Sequence, residues 1–178
     1  EQLVDIIEAL SVHPQLKSLH VEVSVIVGRN VCMRLANLLR HSTSIQLHMI
    51  SLRNNDIDDE EVDALMGAVG TCSLRCLDLS ISRHRNISAR GWQSLACLLE
   101  HPNSMLEEMC LAYNNIGDEL ALCFSNALAT NRKLKVLDLD SNGITARGWS
   151  SFSKVLCDAS SVNKTFLSNH TLQCVGNP

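Results

Sequence analysis

The sequence predicts an α/β fold of the solenoid class, with short parallel strands along the concave wall of a horseshoe-shaped arc and α-helices along its convex outside. Three observations predict it. The string Ile87-Ser88-Ala89-Arg90-Gly91-Trp92 returns 57 residues later as Ile144-Thr145-Ala146-Arg147-Gly148-Trp149, which is two units of about 28 residues each. Apolar residues alternate over short stretches and then switch to spacings of three and four. Only 3% of the 178 residues are aromatic while 46% are hydrophobic, so the core is built from many similar slots filled by Leu, Val, Ile, Ala and Cys.

The elements follow in chain order. Leu3, Ile6, Ile7 and Leu10 stand at helical spacing, so residues 1–15 read as the end of a preceding unit. A weak first unit starts near Leu16, with Leu19, Val21, Ser24 and Ile26 in its columns. Clear units start at Leu47 (Ile50, Leu52, Asn55, Ile57), Leu106 (Met109, Leu111, Asn114, Ile116) and Leu134 (Leu137, Leu139, Asn142, Ile144). Between them, the unit starting at Leu74 (Leu77, Leu79) reaches Ile87 after three extra residues. A weak last unit is read from Val162, with Thr165, Leu167, His170 and Leu172. The whole chain, 1–178, is expected to be a single domain of about six units; because neither end carries the polar cap a solenoid needs, it reads as a piece of a longer array or as an array whose ends pair with something.

Each column has a mechanical role. The fourth and sixth residues alternate with polar ones and describe a strand with one buried face. The Asn in the ninth column turns the chain, its amide able to serve backbone groups that the turn leaves without partners. Beyond the turn, the sets Val62, Leu65, Met66, Val69 and Trp92, Leu95, Leu98, Leu99 and Trp149, Phe152, Val155, Leu156 each make one helical stripe, which packs on the back of the strands. Trp92 and Trp149 are read as core.

This LxxLxLxxNxI pattern, with a full helix and a paired 57-residue recurrence, resembles the ribonuclease-inhibitor-like leucine-rich-repeat family from about Leu16 to Leu172. The resemblance implies the fold strongly and the function weakly, since the family includes ribonuclease inhibitors, sensor regions of NOD-like receptors and Ran GTPase-activating proteins. Ser24, Thr165 and His170 depart from the pattern, which predicts distorted end units.

Composition narrows the function. A formal charge of -4 offers no basic face for nucleic acid. No apolar run approaches the roughly 20 residues of a membrane span, and the first residues lack the pattern of a signal peptide. The eight cysteines follow no metal or disulfide spacing, which points to reduced thiols in an intracellular protein. The histidines fall in different units without ligand spacing, so neither a metal nor a cofactor is expected, and no catalytic motif identifies an enzyme.

The candidate site comes from the third, fifth and seventh columns, expected to point out of the concave sheet. Asp78, Glu108, Asp138 and Asp140 would form an acidic patch there, with Arg53 and Phe166 on the same wall and Cys110 as a plain small residue. Arg83, His84 and Arg85 read as a tolerated insertion with no partner or, in the functional alternative, as a basic lip at the rim. The expected function is a protein-interaction module that takes a partner with a basic surface on its concave face. The alternatives are Ran-type GTPase activation through rim residues such as Asn115, Arg83 or Arg85, and a structural or sensor region of a larger receptor or scaffold.

Overall fold

The computed structural model describes residues 17–20, 31–41, 47–55, 57–69, 72–80 and 87–176. In these, strands and helices alternate until two helices precede the last strand: β1 (Ser18–His20), α1 (Val31–His41), β2 (Met49–Ser51), α2 (Asp59–Val69), β3 (Cys76–Asp78), α3 (Ala89–Glu100), β4 (Glu108–Cys110), α4 (Gly117–Leu128), β5 (Val136–Asp138), α5 (Ala146–Leu156), α6 (Val162–Leu167) and β6 (Cys174–Val175). The strands form one parallel sheet in the order β1-β2-β3-β4-β5-β6. Consecutive helices from α1 to α5 pack side by side. Packed helices stand about 8–10 Å apart and paired strands about 4.8 Å, so the stack bends with the sheet on its inner wall.

The register shows why Leu recurs. Leu19, Ile50, Leu77, Met109 and Leu137 align across the sheet, and all five are buried. Leu52, Leu79, Leu111 and Leu139 form a second buried row, and Leu47, Leu74, Leu106 and Leu134 a third. Each row is a continuous apolar strip that no single unit could bury alone. Trp92 is buried with them, while Trp149 packs from the rim of the core against Phe152, ring centroids 5.5 Å apart.

The ninth-column asparagines fasten one turn to the next. Asn142 Nδ2 donates to Leu139 O at 2.9 Å and to Leu111 O, one unit back, at 2.8 Å. Its Oδ1 accepts from Asn114 N at 2.8 Å and Ile116 N at 3.3 Å. Just before each turn residue the chain passes through the left-handed region, at Asn54 (φ 58°), Tyr113 (φ 63°) and Ser141 (φ 55°).

The 57-residue recurrence marks a joint between helices. Ser88 and Thr145 cap α3 and α5, accepting from Arg90 N and Arg147 N. Each cap is also gripped by an aspartate of the preceding unit: Ser88 N and Oγ donate to Asp59 at 2.8 and 2.6 Å, and Thr145 N and Oγ1 donate to Asp118 at 2.7 Å each. Gly91 and Gly148 are what let the carboxylates approach. A Cβ on Gly148 would lie 2.5 Å from Asp118 Oδ1, and one on Gly91 would collide with Asp59.

The last unit corrects the sequence reading. Val162–Leu167 is a helix, not a strand, and the sixth strand lies at Cys174–Val175, paired with Val136 and Leu137. Leu172, 38 residues after Leu134, therefore heads the last unit. Val162 does not. The extra ten residues over a 28-residue period form α6 and its flanks. An amide pair fixes the true register: Asn131 Oδ1 accepts from Leu134 N, Asn169 Oδ1 accepts from Leu172 N, and Asn169 Nδ2 reaches back to Leu128 O and Asn131 O. Residues 1–16 and the Ser24 and Ile26 positions lie outside the described residues.

Candidate functional site

Strand alternation decides which side chains face away from the helices. In β3–β5 the fourth and sixth columns point into the core, leaving the third, fifth and seventh on the open wall. The register places Ser51, Asp78, Cys110 and Asp138 in one row and Met49, Cys76, Glu108 and Val136 in another. Asp78, Glu108, Asp138 and Asp140 thus share one face, with Arg53 beside them. Phe166 does not join them: it stands on α6, 79% exposed, because its segment is the insertion rather than a strand. Arg83, His84 and Arg85 lie outside the described residues.

The four acids differ in what holds them. Asp78 is 8% exposed and is enclosed by its neighbours. Its Oδ1 accepts from Ser80 N at 2.9 Å and Ser80 Oγ at 2.6 Å, while Oδ2 accepts from Ser51 Oγ at 3.2 Å and faces Arg53 Nε at 3.7 Å. Asp138 repeats the local part, accepting from Asp140 N at 3.0 Å. Among the described residues, however, neither Asp138, Asp140 nor Glu108 forms an ion pair. Asp138 and Asp140 are half-buried and Glu108 is exposed. The acidic patch is therefore two regions: a sealed network around Asp78, and an accessible cluster on β4 and β5.

The thiols on this wall are held protonated. Burial, then the neighbouring Cys110 and Glu108, push Cys76 up to about 12. Burial, followed by Asp78, Asp138 and Glu108, pushes Cys110 up to about 11. Thiols so placed are poor nucleophiles at neutral pH, so the wall presents them as small polarizable surface.

One residue of this cluster went unnoticed in the sequence. Tyr113 is 60% exposed, follows the open-wall column of β4, and donates its backbone N–H to Asp140 O at 2.9 Å. It occupies the left-handed turn position held by Asn54 and Ser141 in other units, where a bulky side chain is strained. The signal was a large aromatic in the column that holds Asn54 and Ser141 in two other clear units. The accessible cluster thus comprises Glu108, Cys110, Tyr113, Asp138 and Asp140, and it offers carboxylates and an exposed aromatic ring.

Comparison with known proteins fits this geometry. A family model described as "Leucine Rich repeat" matches residues 130–153, from the end of α4 through β5 into α5. Leucine-rich repeat-containing protein 73 of Rattus norvegicus and that of Homo sapiens are each 26% identical to this chain over 140 residues, 78% of its length. The chain spans 43% of the length of these curated relatives. Among solved structures, the tropomodulin C-terminal domain from Caenorhabditis elegans superposes with a TM-score of 0.59 at 19% identity, covering 86% of this chain and 90% of that one.

Proposed function

We propose that this leucine-rich-repeat solenoid is a protein-binding module whose docking surface is the β4–β5 half of the inner wall, and that its partner presents a basic surface. The observation that carries the reading is the accessible cluster: Glu108, Asp138 and Asp140 without ion partners among the described residues, beside exposed Tyr113. Unpaired surface carboxylates steer a basic partner and fix its orientation, and an exposed tyrosine is a favoured interface anchor. Period and full helices support the ribonuclease-inhibitor-like subclass. Eight unpaired cysteines suit a reducing, intracellular compartment.

The test is quantitative capture from a cell extract with the wild-type chain and with Glu108→Lys/Asp138→Lys/Asp140→Lys. The reading expects a partner that the wild type retains, that added salt elutes, and that the triple variant loses. A partner held equally by both proteins would exclude this wall.

A further inference from the structure

The second column of the units makes a row of opposite sign. Met49 N, Cys76 N, Glu108 N, Val136 N and Cys174 N donate to the carbonyls of Lys17, His48, Arg75, Glu107 and Lys135, so these five residues stand side by side where the strands begin. Glu107 is the one carboxylate among them. It is shared between Arg75 Nη1 at 3.1 Å and Lys135 Nζ at 2.5 Å, and Lys133 acts on it as well. One negative charge serves three positive ones, and the row keeps an excess of positive charge on exposed side chains.

This row continues into α6 through the segment 131–135. Arg132 Nη2 donates to Leu167 O at 3.3 Å, and Asn169 Nδ2 donates to Asn131 O at 3.1 Å. Helix α6 is built the opposite way from the other helices. No residue of it is buried; polar contacts fasten it, with Ser161 capping Lys164 N, Thr165 Oγ1 donating to Asp158 O at 2.9 Å, and Asp158 N donating to Ser168 Oγ at 3.0 Å. Its apolar side chains point away from that anchorage: Val162 is 89% exposed, Phe166 79% and Leu167 59%. Val162 and Phe166, four apart, share one face. Repeat stacking does not require this helix, since it exceeds the period, and large apolar side chains gathered on a surface mark a contact.

We infer that the strand-start edge, from Arg75 through Lys133 and Lys135 to α6, is a second docking surface, for an acidic protein segment carrying large apolar side chains. Its apolar residues lie against Val162, Phe166 and Leu167, and its carboxylates against Arg132, Lys133 and Lys135. The cations run in a line across neighbouring strands, which suits a narrow segment. An anionic membrane plane is disfavoured because Asp138 lies three residues, about 10 Å, further along β5 than Lys135, within a Debye length, with Asp140 beyond it. A narrow segment covers one row without meeting the other.

The test uses a fluorescently labelled peptide of glutamates punctuated by Phe and Leu, with a control in which those residues are Ser, followed by anisotropy on the full chain. The first peptide is expected to bind and the control to bind about tenfold more weakly. Phe166→Ser/Leu167→Ser and, separately, Lys133→Glu/Lys135→Glu are each expected to weaken binding by about tenfold, whereas Asp138→Lys/Asp140→Lys is not. Because Phe166 and Leu167 are exposed, unchanged circular dichroism and melting should accompany their loss; Lys133→Glu/Lys135→Glu gives up the Glu107 ion pair and should keep its circular dichroism with a slightly lower melting temperature. Equal binding by the wild type and both edge variants, or by the serine control, overturns the inference. So does binding of phosphatidylserine vesicles but not the peptide, or self-association in sedimentation that Phe166→Ser/Leu167→Ser abolishes without any peptide binding. The variants differ from those that test the inner wall, so one surface can be lost while the other stands.

Discussion

Asp118 at the start of α4 and Asp138 at the end of β5 are aspartates in adjacent units, yet their carboxylates serve different ends. Asp118 uses both oxygens on Thr145 of the next unit, and Gly148 leaves the space that makes the approach possible. Asp138 accepts from Asp140 N of its own unit and otherwise faces the open wall. Asp78, in the same column as Asp138, sits between the two: it has the same local bond but is closed in by Ser51, Ser80 and Arg53. The contrast teaches that position in a repeat fixes where a carboxylate points, while its neighbours decide whether it remains available to a partner.

Joint residues should therefore affect stability and leave binding intact, and wall residues the reverse. The largest stability loss is expected at the asparagine ladder. Asn142→Ala removes an amide that satisfies groups in two turns, and should cost about 3 kcal/mol in urea unfolding, given about 1 kcal/mol or more per buried group left unpaired. Gly148→Ala forces Cβ against Asp118 Oδ1 and its backbone and should cost about 2 kcal/mol, as overpacking does. Asp78→Ala removes the acceptor of Ser51 Oγ, Ser80 N and Ser80 Oγ and the charge facing Arg53, and should also cost about 2 kcal/mol, whereas Asp138→Ala should change stability by no more than about 0.5 kcal/mol. Equal losses at the two aspartates would erase the distinction between them.

Acid should expose the joint first. Hydrogen bonds from Ser88 and Thr145 hold the Asp59 and Asp118 carboxyls below the ordinary carboxylate range. Groups with lowered values in the folded state contribute stability above their unfolded value, and that contribution disappears as pH falls through the folded one. Unfolding free energy should thus be flat through the neutral range and fall below roughly pH 4, with a shallower fall in Asp59→Asn/Asp118→Asn. One small effect has the opposite sign. Tyr113→Asn relieves a left-handed aromatic and should add about 0.5–1 kcal/mol while weakening partner binding.

Much of the fold could be read from the residues, because a buried Leu row and a turn Asn repeat themselves wherever a unit stacks on another. Strands β2, β3, β4 and β5 begin two residues after Leu47, Leu74, Leu106 and Leu134. The last unit misled because α6 interrupts the period: Val162, Thr165 and Leu167 imitate a strand's spacing, and Thr165 and His170 fit their columns poorly for that reason. The matching pairs Asn131–Leu134 and Asn169–Leu172 carried the correct register. For the site, alternation gave the direction of Asp78, Glu108, Asp138 and Asp140, but the sealing of Asp78 depends on Ser51 from the neighbouring strand, which no spacing reveals. The basic strand-start row was equally hidden, since its members are 27 to 32 residues apart from His48 to Lys135 and become neighbours only through the register.

The inner-wall account is tested most directly by zero-length carbodiimide cross-linking of the chain to its captured partner, with the links mapped by mass spectrometry. Links from partner lysines are predicted at Glu108, Asp138 and Asp140, and not at Glu60, Glu100 or Glu119 on the helices. Links concentrated on the helical acids, with the wall carboxylates untouched, would contradict it.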